Sequence, residues 1–196
     1  MSAVNHDRYD DAYLRKILRD SKTIAMVGAS ANWNRPSYFA MKYLLDRGYK
    51  VIPVNPAAAG QEIMGQKVYA SLAELPQKAD MVDIFRNSEA AGPITDEAIR
   101  HGAKVVWMQL GVRNEDAARR AEAAGLKVVM NRCPKIEYGR LSSEIAWMGV
   151  NTRTLSSQKA KLLGGGIQRM SLNRTTLAGA ATEAATRAEA AEKDRL

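Results

Sequence analysis

Residues 23–37 read TIAMVGASANWNRPS, and they carry the clearest signal for the type of fold. Thr23 to Val27 is an apolar run of strand length that ends at Gly28, a residue that permits a sharp turn or the close approach of another backbone. Short polar side chains follow. Pro36 then suits the first position of a helix, where its missing N–H is harmless. The stretch therefore predicts a strand, a turn and a helix, which is the opening unit of a parallel α/β sheet.

The same alternation continues along the chain. Apolar runs predict five strands, at Thr23–Val27, Lys50–Val54, Asp80–Phe85, Lys104–Leu110 and Leu126–Met130. Helical patterns lie at residues 7–20, from Pro36 to Gly48, at Ile94–Arg100 and at Glu115–Ala124. Strands that are covered on both faces read as continuous apolar runs. We therefore predict one α/β domain over residues 7–149, a Rossmann-like, doubly wound parallel sheet of about five strands with helices on both faces.

Composition excludes several classes of protein. The 196 residues carry a formal net charge of +8, and 46% of them are hydrophobic, which is ordinary for a globular chain. One cysteine, Cys133, excludes a disulfide framework, and two histidines leave little for a histidine-rich metal centre. No apolar run approaches the ~18 residues that span a bilayer, and the first residues are polar. These features predict a cytoplasmic protein without a membrane segment.

The last part of the chain differs from the rest. Residues 150–196 form a basic, Ala-rich tail in which 177–193 is predicted to be helical, and no acid lies between Glu144 and Glu183. Such a segment is either a solvated tail or a surface for a protein partner or a second copy of the chain. Nucleic acid is a weaker candidate partner, because no aromatic residue follows Trp147 to stack on bases.

We expect a phosphate group to bind where the first strand ends. Ligands of open parallel sheets bind beyond the carboxyl ends of the strands. There Ser30 and Ser37 offer hydroxyls, the start of the next helix offers free N–H groups, and Arg35 offers a positive charge. The alternative interpretation is an ordinary strand-to-helix turn, in which the polar side chains cap the helix and bind no phosphate. Five cations follow predicted strand ends, and we expect two of them to touch phosphate: Arg35, Arg86, Arg113, Arg132 and Lys135.

A dinucleotide fits this loop poorly. The NAD fingerprint needs glycine at positions 28, 30 and 33, but this chain has Gly28, Ser30 and Trp33. NAD binding also favours an acid at the end of the second strand, where this chain has Asn55 and Pro56. An NAD(P)-binding redox protein or sensor therefore remains the alternative rather than the leading hypothesis.

Five motifs occur in order, at residues 24–30 (IAMVGAS), 51–56 (VIPVNP), 83–86 (DIFR), 109–115 (QLGVRNE) and 131–134 (NRCP). As a set they resemble the small bacterial CoA-binding proteins, whose domain is similar to the CoA-binding part of the succinyl-CoA synthetase α-subunit. The resemblance covers residues from about 7 to 141. It implies that the chain binds CoA or an acyl-CoA as a carrier, sensor or regulatory module.

The resemblance also implies a binding set. The phosphates would lie at Gly28, Ala29, Ser30, Pro36 and Ser37. The end of the second strand, Val54, Asn55 and Pro56, would flank the ligand, and Phe85, Arg86, Asn87 and Ser88 would contact its adenosine end. The synthetase pattern has a lysine after the Asn-Pro pair, where this chain has Ala57, so Arg35 or Arg86 is the candidate replacement. Arg113 joins the expected set on other grounds, as one of the five cations that follow predicted strand ends.

The sequence shows no set of residues that indicates catalysis. Neither histidine lies where the synthetase carries its phosphohistidine, so ligase activity is not carried over, and no nucleophile–base pair is visible. Cys133 follows the fifth strand, where its thiol could meet the thiol of CoA. Arg132 and Lys135 would then lower the pKa of Cys133. The alternative interpretation is that Cys133 is a half-buried structural residue that takes part in no reaction.

Overall fold

The computed structural model describes residues 4–142, and they form a three-layer α/β fold. A five-stranded parallel sheet has the strand order β2-β1-β5-β6-β7. Its strands are β1 (Thr23–Val27), β2 (Lys50–Val54), β5 (Met81–Ile84), β6 (Val105–Met108) and β7 (Lys127–Val129). The helices are α1 (Asp11–Asp20), α2 (Pro36–Asp46), α3 (Ala91–His101), α4 (Glu115–Ala123) and α5 (Pro134–Leu141). The predicted doubly wound fold class is thus confirmed.

Alternate residues of each strand fill two separate cores. Ile24 and Met26 of β1 belong to the core beneath α1, α2 and α5, whereas Ala25 between them belongs to the core beneath α3 and α4. In β6, Trp107 joins the first core and Met108 the second. This period of two, repeated across the sheet, explains why the strands read as unbroken apolar runs: both faces are covered.

Three short features interrupt the path between β2 and β5. A 3-10 turn over Pro56–Ala58 follows β2, and a hairpin of β3 (Glu62–Ile63) and β4 (Gln66–Lys67) comes next. A second 3-10 turn, Leu72–Glu74, matches the single helical turn that the spacing of Ser71 and Glu74 predicts. The segment carries the chain from β2 across β1 to its other neighbour, β5.

The segment before α1 and the first turn of α1 cover the outer edge of the sheet at β7. The Tyr9 hydroxyl accepts a hydrogen bond from the Met130 N–H at 2.7 Å, and the Tyr13 hydroxyl donates to the Val128 carbonyl at 3.2 Å. Arg132 reaches the carbonyl of Asp7, and Arg113 reaches its carboxylate. The first ten described residues are therefore tied to the carboxyl end of β7.

Two predictions about the rest of the chain stand outside this description. The predicted domain boundary at 149/150 and the basic tail with its helix at 177–193 lie beyond the described residues. Within residues 4–142, no helix has the length and apolar character that crossing a membrane requires.

Candidate functional site

The strand order creates a crevice between the ends of β1 and β5. The chain leaves β1 through α2, which packs on one face of the sheet, and leaves β5 through α3, which packs on the other. Loops that depart in opposite directions from adjacent parallel strands open a cleft, and this point is where such folds place ligands. The two loops here are residues 28–35 and 85–90.

A polar groove of about 520 Å³ occupies this crevice. Every residue that lines it belongs to the binding set expected from the sequence: Gly28, Ser30, Arg35, Pro36, Ser37, Asn55, Phe85, Arg86 and Asn87. Three separate strand ends contribute to this set, because the carboxyl ends of β1, β2 and β5 lie side by side. The structure therefore brings together residues that are up to about sixty positions apart in the sequence.

Backbone contacts fix the walls of the polar groove. Gly28 has φ +88° and donates its N–H to the Val54 carbonyl at 2.9 Å. Asn55 then ties the loop to β2, because its side-chain amide donates to the Ala29 carbonyl at 2.8 Å while its oxygen accepts from the Ala57 N–H. Ala29 and Val54 are buried, so they hold the loop in place and do not line the groove.

Two arginines stand at the mouth of the polar groove without a salt bridge among the described residues. Arg35 is the residue before the first turn of α2, and it places no side-chain cap on that helix. Arg86 follows β5 on the opposite wall, and both side chains are exposed. Unpaired guanidinium groups beside an uncapped helix N-terminus are an arrangement that favours phosphate.

Of the other predicted cations, Lys135 lines an apolar groove next to the polar groove, whereas Arg113 and Arg132 are engaged elsewhere. Arg113 forms ion pairs with Asp7 and Glu115 at 2.8 and 2.7 Å, so it anchors the N-terminal segment instead of lining the groove. Arg132 is buried against Glu137, and its guanidinium lies over the ring of Tyr9. Ser88 is also occupied, since its hydroxyl accepts from the Arg113 N–H at 3.0 Å. Pro56 is exposed at the start of the 3-10 turn beyond Asn55.

An apolar groove of about 590 Å³ continues from the polar one. The two share Pro36, Phe85 and Arg86, so they form one cleft with a charged half and an apolar half. The apolar half is lined by Asn34, Pro36, Phe39, Ala40, Phe85, Arg86, Gln109, Leu110, Val112, Cys133, Lys135 and Ile136. Most of these positions were not in the expected set. They come from α2, from the end of β6 and from α5, a helix that the sequence did not predict.

Cys133 is an expected site residue that lines the apolar half of the cleft and not the polar half. Its pKa is raised by burial, and the nearby Asp83 carboxyl raises it further, whereas Lys135 opposes this effect weakly. Lys135 thus acts on the pKa of Cys133 in the expected direction, but burial outweighs it and the pKa is raised, not lowered. Arg132 is turned away into its own pair with Glu137, and the thiol stays protonated at neutral pH.

A buried carboxyl lies beneath the apolar half. Asp83 is in the middle of β5 with no exposed surface, and burial raises its pKa to about 8, partly offset by a hydrogen bond from Gln109. The Nε2 atom of Gln109 lies 2.9 and 3.2 Å from the two carboxylate oxygens. A buried acid within an apparent strand, next to a glutamine at the following strand end, was the sequence signal for this pair. Both residues lie in the quoted motifs.

Two further findings bear on the choice of site. A basic cavity of about 320 Å³ is lined by Arg15, Lys22 and Arg47, among others, at the amino ends of β1 and β2, away from the crevice. In the described part of the chain, no group of three or more histidine, cysteine, aspartate or glutamate side chains is placed to hold a metal ion. The cleft at the carboxyl ends therefore combines charge, apolar surface and the favoured topological position.

The chain is similar to known proteins over most of the described residues. The family model described as "CoA binding domain" matches residues 22–139, which include both halves of the cleft. The Bacillus subtilis (strain 168) protein YneT is 37% identical over 127 residues, covering 65% of this chain and 93% of that protein. The structure of a hypothetical protein from Pyrococcus horikoshii OT3 is 40% identical with a TM-score of 0.67, covering 72% of this chain and 99% of that one.

A larger enzyme shares the same region. The α subunit of an ADP-forming acetate–CoA ligase from Pyrococcus furiosus is 37% identical over 93 residues. This match covers 45% of the present chain and 20% of the ligase subunit. The similarity thus concerns one part of that enzyme.

Proposed function

Because the chain belongs to the CoA-binding domain family, we propose that it binds coenzyme A or an acyl-CoA in the cleft at the carboxyl ends of β1 and β5. One observation carries the proposal: a groove with two unpaired arginines is continuous with an apolar groove, and both share Pro36, Phe85 and Arg86. Coenzyme A matches this division of the cleft. Its phosphates lie at one end, and an uncharged pantetheine arm that ends in a thiol lies at the other.

The polar half supports the phosphate assignment. The diphosphate would lie against the loop of Gly28 and Ser30 and the first turn of α2 at Ser37, with Arg35 and Arg86 as charge partners. Each interaction of an exposed anion with a helix N-terminus contributes about 0.3–1 kcal/mol, so the arginines are needed for tight binding. Arg86 and Arg35 would then take the role that the synthetase pattern gives to a lysine after Asn55-Pro56.

The role we propose is that of a carrier, sensor or regulatory module without catalysis of its own. The thiol of Cys133 lies in the apolar half, but burial raises its pKa, which disfavours the reactive thiolate. An NAD(P)-binding redox protein remains the second candidate. Trp33 at the third fingerprint position and Asn55 at the end of β2 weigh against it.

Arginine substitutions test the proposal directly. We expect Arg35→Ala and Arg86→Ala each to weaken CoA binding about three- to tenfold, because each removes one charge-assisted contact with phosphate. The salt dependence of the affinity should become shallower in both variants. Arg100→Ala, which removes an exposed arginine on α3, is the matched control and should bind as the unmodified chain does.

Isothermal titration calorimetry with CoA, NAD⁺ and NADP⁺ at equal concentrations gives the measurement. Tightest binding of CoA, lost in part by the two groove variants alone, would support the cleft. Preferential binding of either dinucleotide would favour the second candidate. Equal effects of all three arginine substitutions would remove the cleft from consideration.

A further inference from the structure

The buried pair of Asp83 and Gln109 has no role in the function proposed so far. Asp83 is flanked by Met26 in β1 and Trp107 in β6, so it lies inside the sheet and not at its end. Burying a carboxyl group completely, as here, costs free energy of folding, so its presence in the sheet calls for a role. In the described residues its hydrogen-bond partner is the side-chain amide of Gln109, which lines the apolar half of the cleft.

Gln109 is a largely buried residue that offers a hydrogen-bond acceptor to the cleft. Only 6% of the residue is exposed, and its Nε2 atom is bonded to both oxygens of Asp83. Its Oε1 atom makes no hydrogen bond with any residue from 4 to 142. Because Gln109 lines the cleft and Nε2 is held by Asp83, Oε1 is left free to accept a hydrogen bond from a ligand in the apolar half.

The protonation state of Asp83 determines which atom of the Gln109 side-chain amide faces the apolar half of the cleft. An ionised carboxylate only accepts hydrogen bonds, so it holds Nε2 towards itself and turns Oε1 outwards. A neutral carboxylic acid donates one hydrogen bond, and Oε1 of Gln109 is the acceptor beside it. In the neutral state the amide turns around, and its NH₂ group faces the cleft.

We propose that Gln109 accepts a hydrogen bond from an amide N–H of the pantetheine arm and that Asp83 is the positioning residue that orients Gln109 for this contact. This inference rests on the proposed function, since it assigns the apolar half of the cleft to the arm of CoA. It makes the pair a recognition element for the amide of pantetheine, separate from the phosphates held in the polar half.

The ionisable surroundings of Asp83 are few. Cys133, just before α5, is electrostatically coupled to Asp83, and Lys135 on α5 acts on Cys133. The neighbours in β1 and β6 carry no ionisable group. The buried residues of α2 are also uncharged: Ser37, Ala40, Met41 and Leu44. Because the pKa of Asp83 is raised to about 8, its ionisation falls in an accessible range of pH.

The direction of the pH dependence follows from this geometry. Below about pH 8 Asp83 is mainly protonated, and the NH₂ of Gln109 faces an N–H donor of the ligand. Above about pH 8, Oε1 of Gln109 faces the N–H donor of the ligand, and the hydrogen bond forms. Affinity for the arm should therefore rise as pH increases, and bound ligand should in turn favour the ionised form of Asp83.

Calorimetric titrations from pH 7.0 to 9.5 test the inference with two ligands. Acetyl-CoA carries the arm without a titrating thiol, and adenosine 3′,5′-bisphosphate carries phosphates without the arm. We expect acetyl-CoA to bind about fivefold to tenfold more tightly at the upper end, the size of one hydrogen bond. The affinity of adenosine 3′,5′-bisphosphate should not change over this range.

Three variants separate the contributions. Asp83→Asn keeps an acceptor for Gln109 but cannot ionise, so its affinity for acetyl-CoA should be independent of pH. Gln109→Met should weaken acetyl-CoA about fivefold at pH 9.5 and leave adenosine 3′,5′-bisphosphate unaffected. Cys133→Ser, the control for the neighbouring thiol, should retain the pH dependence of the unmodified chain.

The outcomes distinguish the two proposals. If both ligands bind but Asp83→Asn keeps the pH dependence, or Gln109→Met binds acetyl-CoA normally, the role of the pair is overturned and the proposed function stands. If neither ligand binds the unmodified chain at any pH, the proposed function itself fails. Thermal melting of each variant without ligand verifies that Asp83→Asn and Gln109→Met are folded, and either variant suffices for the test.

Discussion

Gly28 shows, at the scale of one residue, how closely the two loops of the cleft approach each other. Its φ is +88°, and a Cβ atom built on it would lie 2.5 Å from the carbonyl oxygen of Phe85. The loops after β1 and β5 thus touch through backbone atoms. The need for glycine here comes from the fold itself, before any ligand is considered. A side chain at this position would disturb the walls of the polar groove.

Gly28→Ala should therefore destabilise the protein more than a glycine-to-alanine change at an open position. Gly125 is the matched control, because its φ of +86° is similar and nothing lies within 4 Å of its added Cβ. We expect Gly125→Ala to cost about 1–2 kcal/mol for the left-handed conformation alone. Gly28→Ala should cost at least ~1 kcal/mol more, because backbone must move.

Urea unfolding of the two variants measures this difference in the free energy of unfolding. Equal losses at Gly28 and Gly125 would mean that the loop after β5 moves aside freely. In that case the walls of the polar groove are not fixed by this contact, and the arginines on them would be less preorganised.

At the scale of elements, α5 is the part of the fold that the sequence did not predict. Pro134 occupies its first turn, as Pro36 does in α2, but the helix has eight residues with Gly139 among them, which weakens the helical signal. Its stability comes from distant partners. Arg140 binds the Asp11 carboxylate of α1 through both oxygens at 2.7 and 3.1 Å, a pairing that no local pattern reveals.

The same reason explains which half of the cleft could be predicted. The polar half is built from loops that directly follow predicted strands, so Arg35 and Arg86 could be placed from the sequence alone. The apolar half needs Ile136 of α5 and Phe39 of α2 to meet across the end of β6. The β3–β4 hairpin was likewise missed, because strands of two residues have no period to detect.

Arg140 offers a test of how α5 is held. It also donates two hydrogen bonds to the carboxylate of Glu137, which is 2% exposed. We expect Arg140→Met to lower the free energy of unfolding by about 1–3 kcal/mol, because the buried Glu137 carboxylate loses one of its charge partners while Arg132 remains. The control is Arg119→Met, which breaks an exposed ion pair with Asp116 on α4 and should cost less than about 1 kcal/mol.

Chemical denaturation of both arginine variants gives the comparison. A loss for Arg140→Met as small as that for Arg119→Met would indicate that α5 is retained by apolar packing alone. The apolar half of the cleft would then not depend on the link between α1 and α5.

At the scale of the whole molecule, the function we propose resides in one part of the chain. All residues that line the two halves of the cleft lie between positions 28 and 136. The fold class and the alternation of the five sheet strands with α1 to α4 followed from the sequence, because strand and helix periods alternate clearly there. The boundary near residue 149 remains a prediction, since it lies outside the described residues.

A chain that ends at residue 149 should fold and bind CoA with the same affinity as the full chain, within about twofold. Circular dichroism and calorimetry check the two properties. A salt-sensitive affinity for nucleic acid, if the full chain has one, should disappear in the shortened chain. Loss of CoA binding on shortening would show that residues beyond 149 contribute to the cleft.

The hydroxyls of Tyr9 and Tyr13, described above at β7, have a consequence for self-association. An outer strand of a sheet normally offers unpaired N–H and C=O groups onto which another chain can add. Here two phenols occupy the Met130 N–H and the Val128 C=O, so side chains from the preceding helix region act in place of a sixth strand. Protection against edge-to-edge aggregation is thus built into the first turns of the chain.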